Sequence, residues 1–347
     1  MKISRYFFNI IVFFVPLFVG AQTPYVSKVF EYSPAPGQFV NVLPAYEEGD
    51  TQETMNKKAE EALKSIQTGT ISLGAWGGYV VFGFDHDVIN YSDKTDFRIY
   101  GNAFYSDRNN PSKGGSSEPG VVYVSKDDNL NGVPDDEWYE LAGSEYNNSR
   151  TDYSMTYFRT PQDHTPTPIQ QQDIIDSTYI RWNDIDGQSG YIAKNRYHLQ
   201  DYYPQWTDKN QLTFSGTRLP DNAQLYIEDG INKYIMYIYD FGYADNQPND
   251  TEGSELDIDW AVNGNGEKIH LESINFVKVM TGVNQQCGWI GELSTEVSGA
   301  EDLNFISTRL NSPKKQNNYS KILNNSRIYI IRGDKCYDIW GNVVLIK

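Results

Sequence analysis

Residues 116–141 read SSEPGVVYVSKDDNLNGVPDDEWYEL, and this stretch decides the fold class. A polar turn ending at Pro119 and Gly120 precedes the β-branched and aromatic run 121–125, which is typical of a β-strand. A loop rich in side-chain oxygens follows, and the chain becomes apolar again at Trp138. The order of strand, oxygen-rich loop and strand predicts a β-protein with a candidate cation site in one of its connections.

The spacing of the oxygen donors in this loop resembles the first half of a calcium loop, D-x-[DN]-x-[DN]-G. Alternate side chains converge on one ion, and the glycine permits the sharp turn. The predicted ligands are Asp127, Asn129, Asn131, the carbonyl of Val133, Asp135, Asp136 and Glu137. Trp138 stands where an EF-hand has its bidentate glutamate, so a structural Ca²⁺ site between strands is predicted instead of an EF-hand. The alternative is an acidic turn that needs no metal.

Composition and compartment narrow the possible function classes. The formal net charge of −17 argues against nucleic acid or an anionic membrane as partner. The cysteines are Cys287 and Cys336, too few for a disulfide framework. Residues 1–21 combine a basic start with a short apolar core, which predicts a secretory signal peptide cleaved after Ala21. No later segment is apolar enough to cross a bilayer, so an exported chain at the cell surface or in the extracellular space is expected.

Periodicity along the chain predicts one helix and many strands. Asp50 and Thr51 can cap a helix over residues 53–65, whose apolar positions fall on one face. The proline-rich stretch 146–172 is predicted to be a long surface excursion. Alternating patterns predict strands over residues 77–84 and 96–104 and a buried central strand over residues 269–281.

Several motifs resemble, in their order, a family of Bacteroidota cell-surface proteins described only as surface or PKD-like proteins. They are GGYVVFGFDHDV, DFRIYGNAF, the 116–141 stretch, LDIDWAVNGNGEKIHLESINFVKVMTG and CGWIGELSTEVSGAEDL. The resemblance implies an all-β fold, a galactose-binding-like jelly-roll β-sandwich with one short N-terminal helix and a structural calcium. It implies no catalytic residue. Relatives near surface nutrient-uptake genes, including those for cobamide capture, make extracellular ligand capture the leading function.

The C-terminal part is predicted to be a separate module. Residues 22–306 form the β-domain, and the polar, basic stretch 307–326 has the composition of a linker. Residues 327–347, RIYIIRGDKCYDIWGNVVLIK, resemble the short sorting tails of Bacteroidota proteins exported by the type 9 system. A small β-hairpin is therefore expected there, and the alternative is a hairpin that pairs with the main sheet.

The sequence favours binding over catalysis, because it lacks G-x-S-x-G, H-E-x-x-H, C-x-x-C and phosphate-loop motifs. Tyr202, Tyr203 and Trp206 are the predicted ligand-binding surface, because flat aromatic faces stack on sugars and planar cofactors. The expected function is non-catalytic capture of a glycan or a cobamide-like nutrient, with outer-membrane uptake machinery as a further partner. The alternatives are a glycoside hydrolase with an Asp/Glu pair and an adhesive or structural surface protein.

Overall fold

A computed structural model describes residues 22–228, 230–306, 319–324, 327–332 and 335–337. The predicted signal peptide, residues 1–21, lies outside the described residues, and so does most of the predicted linker. The chain divides into two compact units, and residues 23–305 make up the larger one. The described part is mostly β, which confirms the predicted all-β class.

The strands are β1 Lys28–Ser33, β2 Ile71–Ser72, β3 Tyr79–Ile89, β4 Phe97–Ile99, β5 Phe104–Tyr105, β6 Gly115–Ser116, β7 Gly120–Ser125, β8 Trp138–Leu141, β9 Arg150–Phe158, β10 Ile174–Asp184, β11 Ser189–Asn195, β12 Gln211–Arg218, β13 Ala223–Glu228, β14 Ile231–Met236, β15 Glu255–Leu256, β16 Ala261–Val262, β17 Ser273–Thr281, β18 Glu296–Val297, β19 Ala300–Asp302, β20 Tyr319–Asn324, β21 Arg327–Arg332 and β22 Lys335–Tyr337. Short 3₁₀ turns occur at Pro111–Lys113, Tyr146–Asn148, Gln170–Gln172, Glu252–Ser254, Ile258–Trp260 and Gly288–Ile290.

The helix α1, Gln52–Leu63, begins where the sequence predicts. Thr51 and Thr54 form a capping box, in which each side chain bonds the other residue's backbone N–H. The helix buries Met55, Ala59 and Leu63 on one face. These side chains pack into the main core, so burial of this face stabilises a segment of only moderate intrinsic helicity.

A six-stranded antiparallel sheet with the order β1-β3-β17-β7-β8-β16 forms the centre of the larger unit. Its strand β17 pairs with β3 on one side and with β7 on the other, as predicted for a buried central strand. Alternate residues of a strand point to opposite faces, so Val277 and Val279 share one face and Lys278 and Met280 share the other.

Apolar side chains cover both faces of this central sheet. Val277 and Val279 pack into the core that also contains α1, whereas Met280 packs with residues of the four-stranded sheet β11-β10-β9-β12. A jelly-roll sandwich has two facing layers, and each layer buries one face. Here both faces of the central sheet are covered, and the small antiparallel sheets form a propeller-like arrangement. The predicted sandwich is therefore wrong.

In the C-terminal unit, β20, β21 and β22 form a three-stranded antiparallel sheet. The pairing of β21 with β22 agrees with the predicted hairpin. Strand β20 lies inside the segment predicted to be a linker, so that prediction is wrong for residues 319–324. Residues 338–347 of the predicted tail lie outside the described residues.

Candidate functional site

The predicted calcium loop connects β7 to β8 and is closed by its own hydrogen bonds. The carboxylate of Asp127 accepts the backbone N–H groups of Asn131 at 3.0 Å and of Gly132 at 2.8 Å. Leu130 and Gly132 adopt positive φ angles of 57° and 71°, and glycine permits such a turn without steric strain. The amides of Asn129 and Asn131 both donate to Asp135. The loop therefore brings four of the predicted ligand side chains together.

The other predicted ligands face elsewhere. Asp136 accepts the backbone N–H of Asp128 at 3.1 Å, and Glu137 accepts the hydroxyl of Tyr139 at 2.9 Å. The carbonyl of Val133, which is the predicted backbone ligand, accepts the backbone N–H of Asp135 at 2.9 Å.

The donor set suits a calcium ion, because the clustered side chains carry the carboxylate and amide oxygens that this ion prefers. In the observed geometry the amide nitrogens of Asn129 and Asn131 face Asp135, so both amides must turn over to present oxygen. The loop shape itself is an Asx-turn arrangement that needs no ion. Calcium remains a prediction at this site.

The predicted aromatic binding surface is not formed, because its tyrosines belong to the core. Tyr202 and Tyr203 are 0% exposed. Tyr203 donates its hydroxyl to the carbonyl of Lys209 at 3.1 Å. Trp206 is half-buried, stacks on Tyr32 with ring centres 5.9 Å apart and donates its indole N–H to Gln52. The dense aromatic sequence that suggested a ligand surface therefore fills the interior.

The structure instead shows an open aromatic groove where β12 covers only part of the central sheet. We call it the Lys278 groove. It has two adjoining parts of about 440 Å³ and about 530 Å³, which share Glu31, Tyr79, Ser215 and Lys278. Rings from four strands and the β1 bulge line it: Phe30, Tyr79, Tyr123, Trp138 and Phe214. Val133 and Pro134 of the predicted calcium loop line one side.

Lys278 has an unusual environment at the base of this groove. Its Nζ lies 4.4 Å from the ring centre of Tyr79 and 5.3 Å from that of Tyr123, within cation–π range. Burial lowers the pKa of Lys278. Glu31 accepts the hydroxyl of Tyr79 at 2.7 Å. In the part of the chain that the structure describes, the ammonium group of Lys278 makes neither a hydrogen bond nor an ion pair, so its N–H donors remain available to a ligand.

A second feature, a buried group of three carboxylates, was missed from the sequence. Oxygens of Glu118, Asp245 and Glu296 lie within 4.8 Å of one another. Burial, followed by charge repulsion from a carboxylate neighbour, raises the pKa of Glu118 and of Asp245, and burial raises that of Glu296 to about 7. Protons therefore bind this group near neutral pH. Its members are far apart in the sequence, and no local pattern could have revealed them.

The three carboxylates lie apart from the Lys278 groove. Asp245 accepts backbone N–H groups from Asn102, Ala103 and Glu296 at 2.7 to 2.9 Å. These bonds join three distant segments of the chain. None of the three acids lines the Lys278 groove.

The His86 side chain, which lies between Asp85 and Asp87, is hydrogen-bonded in the described chain. Its Nδ1 lies 2.8 Å from Asp85, and its Nε2 lies 3.0 Å from Asp302. Both ring nitrogens therefore have carboxylate partners, as in a hydrogen-bonded corner.

Models of known protein families give no match to this sequence, and neither do curated protein sequences. Among the described residues, no helix is long and apolar enough to span a membrane.

Proposed function

We propose that this protein is an exported, non-catalytic binding protein that captures an extracellular glycan or cobamide-like nutrient in the Lys278 groove. The observation that carries the proposal is the Lys278 ammonium group, which has no hydrogen-bond or ion-pair partner among the described residues and lies between two aromatic rings in an open groove. Sugars and large planar cofactors stack on such rings and carry oxygens that accept hydrogen bonds from a lysine. The groove thus offers both an apolar surface and an orienting polar group.

The predicted calcium ion has a supporting role in this proposal. Val133 and Pro134 line the groove and belong to the loop closed by Asp127. An ion bound by that loop would fix its conformation and hence one side of the groove. Calcium would therefore act on ligand affinity through loop order, without contacting the ligand.

The chemistry of the groove supports binding more than glycoside hydrolysis. A glycosidase places two carboxyl groups on either side of the scissile bond. Glu31 is the one carboxylate among the residues that line the Lys278 groove, and it accepts the hydroxyl of Tyr79. Capture of a ligand does not depend on a jelly-roll fold, since the groove is made by one sheet face and one covering strand.

Export, surface location and contact with uptake machinery are proposed on the sequence patterns alone. Residues 1–21 have the pattern of a signal peptide, and residues 327–347 resemble a type 9 sorting tail. The relationship to the Bacteroidota surface family is part of the same proposal.

The test is a ligand screen of the purified chain with glycans and corrinoids, read by thermal shift and followed by calorimetric titration of each ligand found. Lys278→Met should weaken capture by about tenfold or more, because it removes the charge-assisted hydrogen bonds and leaves the apolar stem. Lys94→Met is the matched control. Lys94 is exposed and also lies over a ring, that of Tyr91 at 4.0 Å, but it does not line the groove.

Two results would contradict the proposal. If no glycan or corrinoid shifts the melting temperature, ligand capture is refuted. If a ligand binds Lys278→Met and the wild-type chain equally well, capture takes place outside the Lys278 groove.

A further inference from the structure

A second pocket contains two arginines that have no acidic partner among the described residues. Among the arginines whose side chains the structure describes, those with a carboxylate partner are Arg98, Arg108, Arg150, Arg196 and Arg218. The remaining two, Arg159 and Arg181, have none, and both line the same pocket of about 600 Å³. The chain has 46 acidic and 29 basic residues, so arginines without an acidic partner need an explanation.

The pocket lies on the outer face of the sheet β11-β10-β9-β12. Arg181 of β10 is paired in register with Phe158 of β9 and with Tyr191 of β11. Tyr191 is 43% exposed. The neighbouring positions on the opposite face, Ile180, Tyr157 and Ile192, are buried in the core. Strand alternation therefore fixes the arginine and the two rings on the solvent side of a well-packed sheet.

Stacking holds both guanidinium groups and leaves donors free. The guanidinium carbon of Arg181 lies 4.1 Å from the ring centre of Phe158, and that of Arg159 lies 4.2 Å from the ring centre of Tyr203. Nη2 of Arg159 donates to backbone carbonyls, including that of Thr207. Nε and Nη1 of Arg159, and all the guanidinium N–H groups of Arg181, make no hydrogen bond within the described chain. A guanidinium group that stacks by its face presents these N–H groups at its edge.

None of the residues that line this pocket is an Asp or a Glu, and the nearby Asp176 does not pair with either arginine. Asp176 is buried, and one of its oxygens lies 2.6 Å from Nε2 of His164, which lines the pocket. Its other oxygen accepts the backbone N–H groups of Thr167 and Thr178. Both oxygens are thus engaged within the protein, and the lining of the pocket keeps a positive character.

We infer that this pocket binds an organic anion that carries a carboxylate on a ring, the chemistry of an acidic sugar. The planar fork of Arg181 matches a carboxylate in a two-bond geometry, Arg159 supplies a second cation, and Tyr191 offers a surface to the ring. None of these residues lines the Lys278 groove, so this site goes beyond the capture site proposed above.

The test uses the full chain with D-glucuronate and D-glucose, which differ at the carboxylate. Calorimetric titration or ligand-observed NMR at low ionic strength should show glucuronate binding about tenfold or more tightly than glucose, and added salt should weaken it. Arg181→Gln should reduce the affinity for glucuronate by about tenfold and leave glucose unchanged. Arg181→Lys keeps the charge but loses the fork, so it should bind glucuronate more weakly than wild type.

Arg108→Gln is the matched control, since it removes one positive charge from an exposed site that is paired with Asp250. It should bind glucuronate as the wild type does. Equal affinity of the wild type for glucose and glucuronate would overturn the inference. So would unchanged glucuronate binding in both Arg181 variants, or an equal loss in Arg108→Gln, because each would show that no specific arginine is involved.

Discussion

Glu292 should make the stability of this protein depend on pH in a way that one substitution removes. Its side chain is buried, Oε1 accepts the backbone N–H of Gln38 at 2.6 Å, and Oε2 has no hydrogen-bond partner among the described residues. Burial raises its pKa from an ordinary value of 4.5 to about 8. A carboxyl group whose pKa is raised on folding stabilises the folded state at low pH, and this stability is lost as the pH rises through the folded-state pKa.

The size of the effect follows from the two pKa values. Between pH 4.5 and pH 8 the folded chain holds one more proton at Glu292 than the unfolded chain does, so the free energy of unfolding falls by about 1.4 kcal/mol per pH unit. From about pH 5.5 to about pH 7.5 the loss is about 2 kcal/mol after allowance for partial ionisation. For a domain as large as residues 23–305, this corresponds to a decrease of roughly 3 to 5 °C in melting temperature.

Glu292→Gln cannot ionise, so it should lose this contribution and keep those of the other buried acids. Its amide places two N–H donors where Oε2 has no partner, which costs about 1 to 3 kcal/mol at every pH. The diagnostic quantity is therefore the difference in melting temperature between wild type and variant, which should shift in favour of the variant by roughly 3 to 5 °C across this pH range. Glu272→Gln, at an exposed carboxylate, is the control and should show no such shift.

The assay is calorimetric or circular-dichroism melting of the wild type and both variants across the same buffers. If the difference between wild type and Glu292→Gln stays constant with pH, Glu292 is not held protonated by burial. The reasoning from its enclosed position would then be refuted.

Two further predictions concern the residues singled out in the sequence. Calcium should raise the melting temperature of the wild type by on the order of 5 °C over chelator-treated protein. The rise should be clearly smaller in Asp127→Asn, which loses the charge and keeps one of the two oxygens that accept backbone N–H groups in the turn. Equal rises in both proteins would argue against an ion in this loop. Tyr202→Leu should lower the free energy of unfolding by about 3 kcal/mol in denaturant titrations, because Tyr202 is 0% exposed. The intrinsic ligand affinity should not change. Unchanged stability together with lost binding would show instead that Tyr202 contacts the ligand.

The sequence by itself determined the elements whose signals are local. Strand β17 and helix α1 follow from hydrophobic periodicity, and the helix start follows from Thr51. The oxygen-rich turn between β7 and β8 follows from the spacing of its Asp and Asn residues, because these side chains bond to backbone groups only a few positions away. Such signals act within one segment and need no distant partner.

Some local signals were misleading because tertiary packing opposed them. Strand β9, Arg150–Phe158, lies within the stretch predicted to be a surface excursion. Its polar composition does not indicate a strand, but pairing with β10 and β12 holds this segment in the extended conformation. The aromatic residues at 202 and 203 are interior because other strands cover them. Composition tells which side chains can pack or stack, but it does not tell which faces remain uncovered.

Only the tertiary structure decided where the candidate sites lie. The Lys278 groove combines residues of β1, β3, β7, β8, β12 and β17, and the buried carboxylates come from positions 118, 245 and 296. The positive pocket of Arg159 and Arg181 also follows from the tertiary structure, because only folding decides which arginines pair with a carboxylate. The physical reason is that burial, charge pairing and enclosure are properties of surfaces brought together by folding, whereas periodicity is a property of one strand or helix.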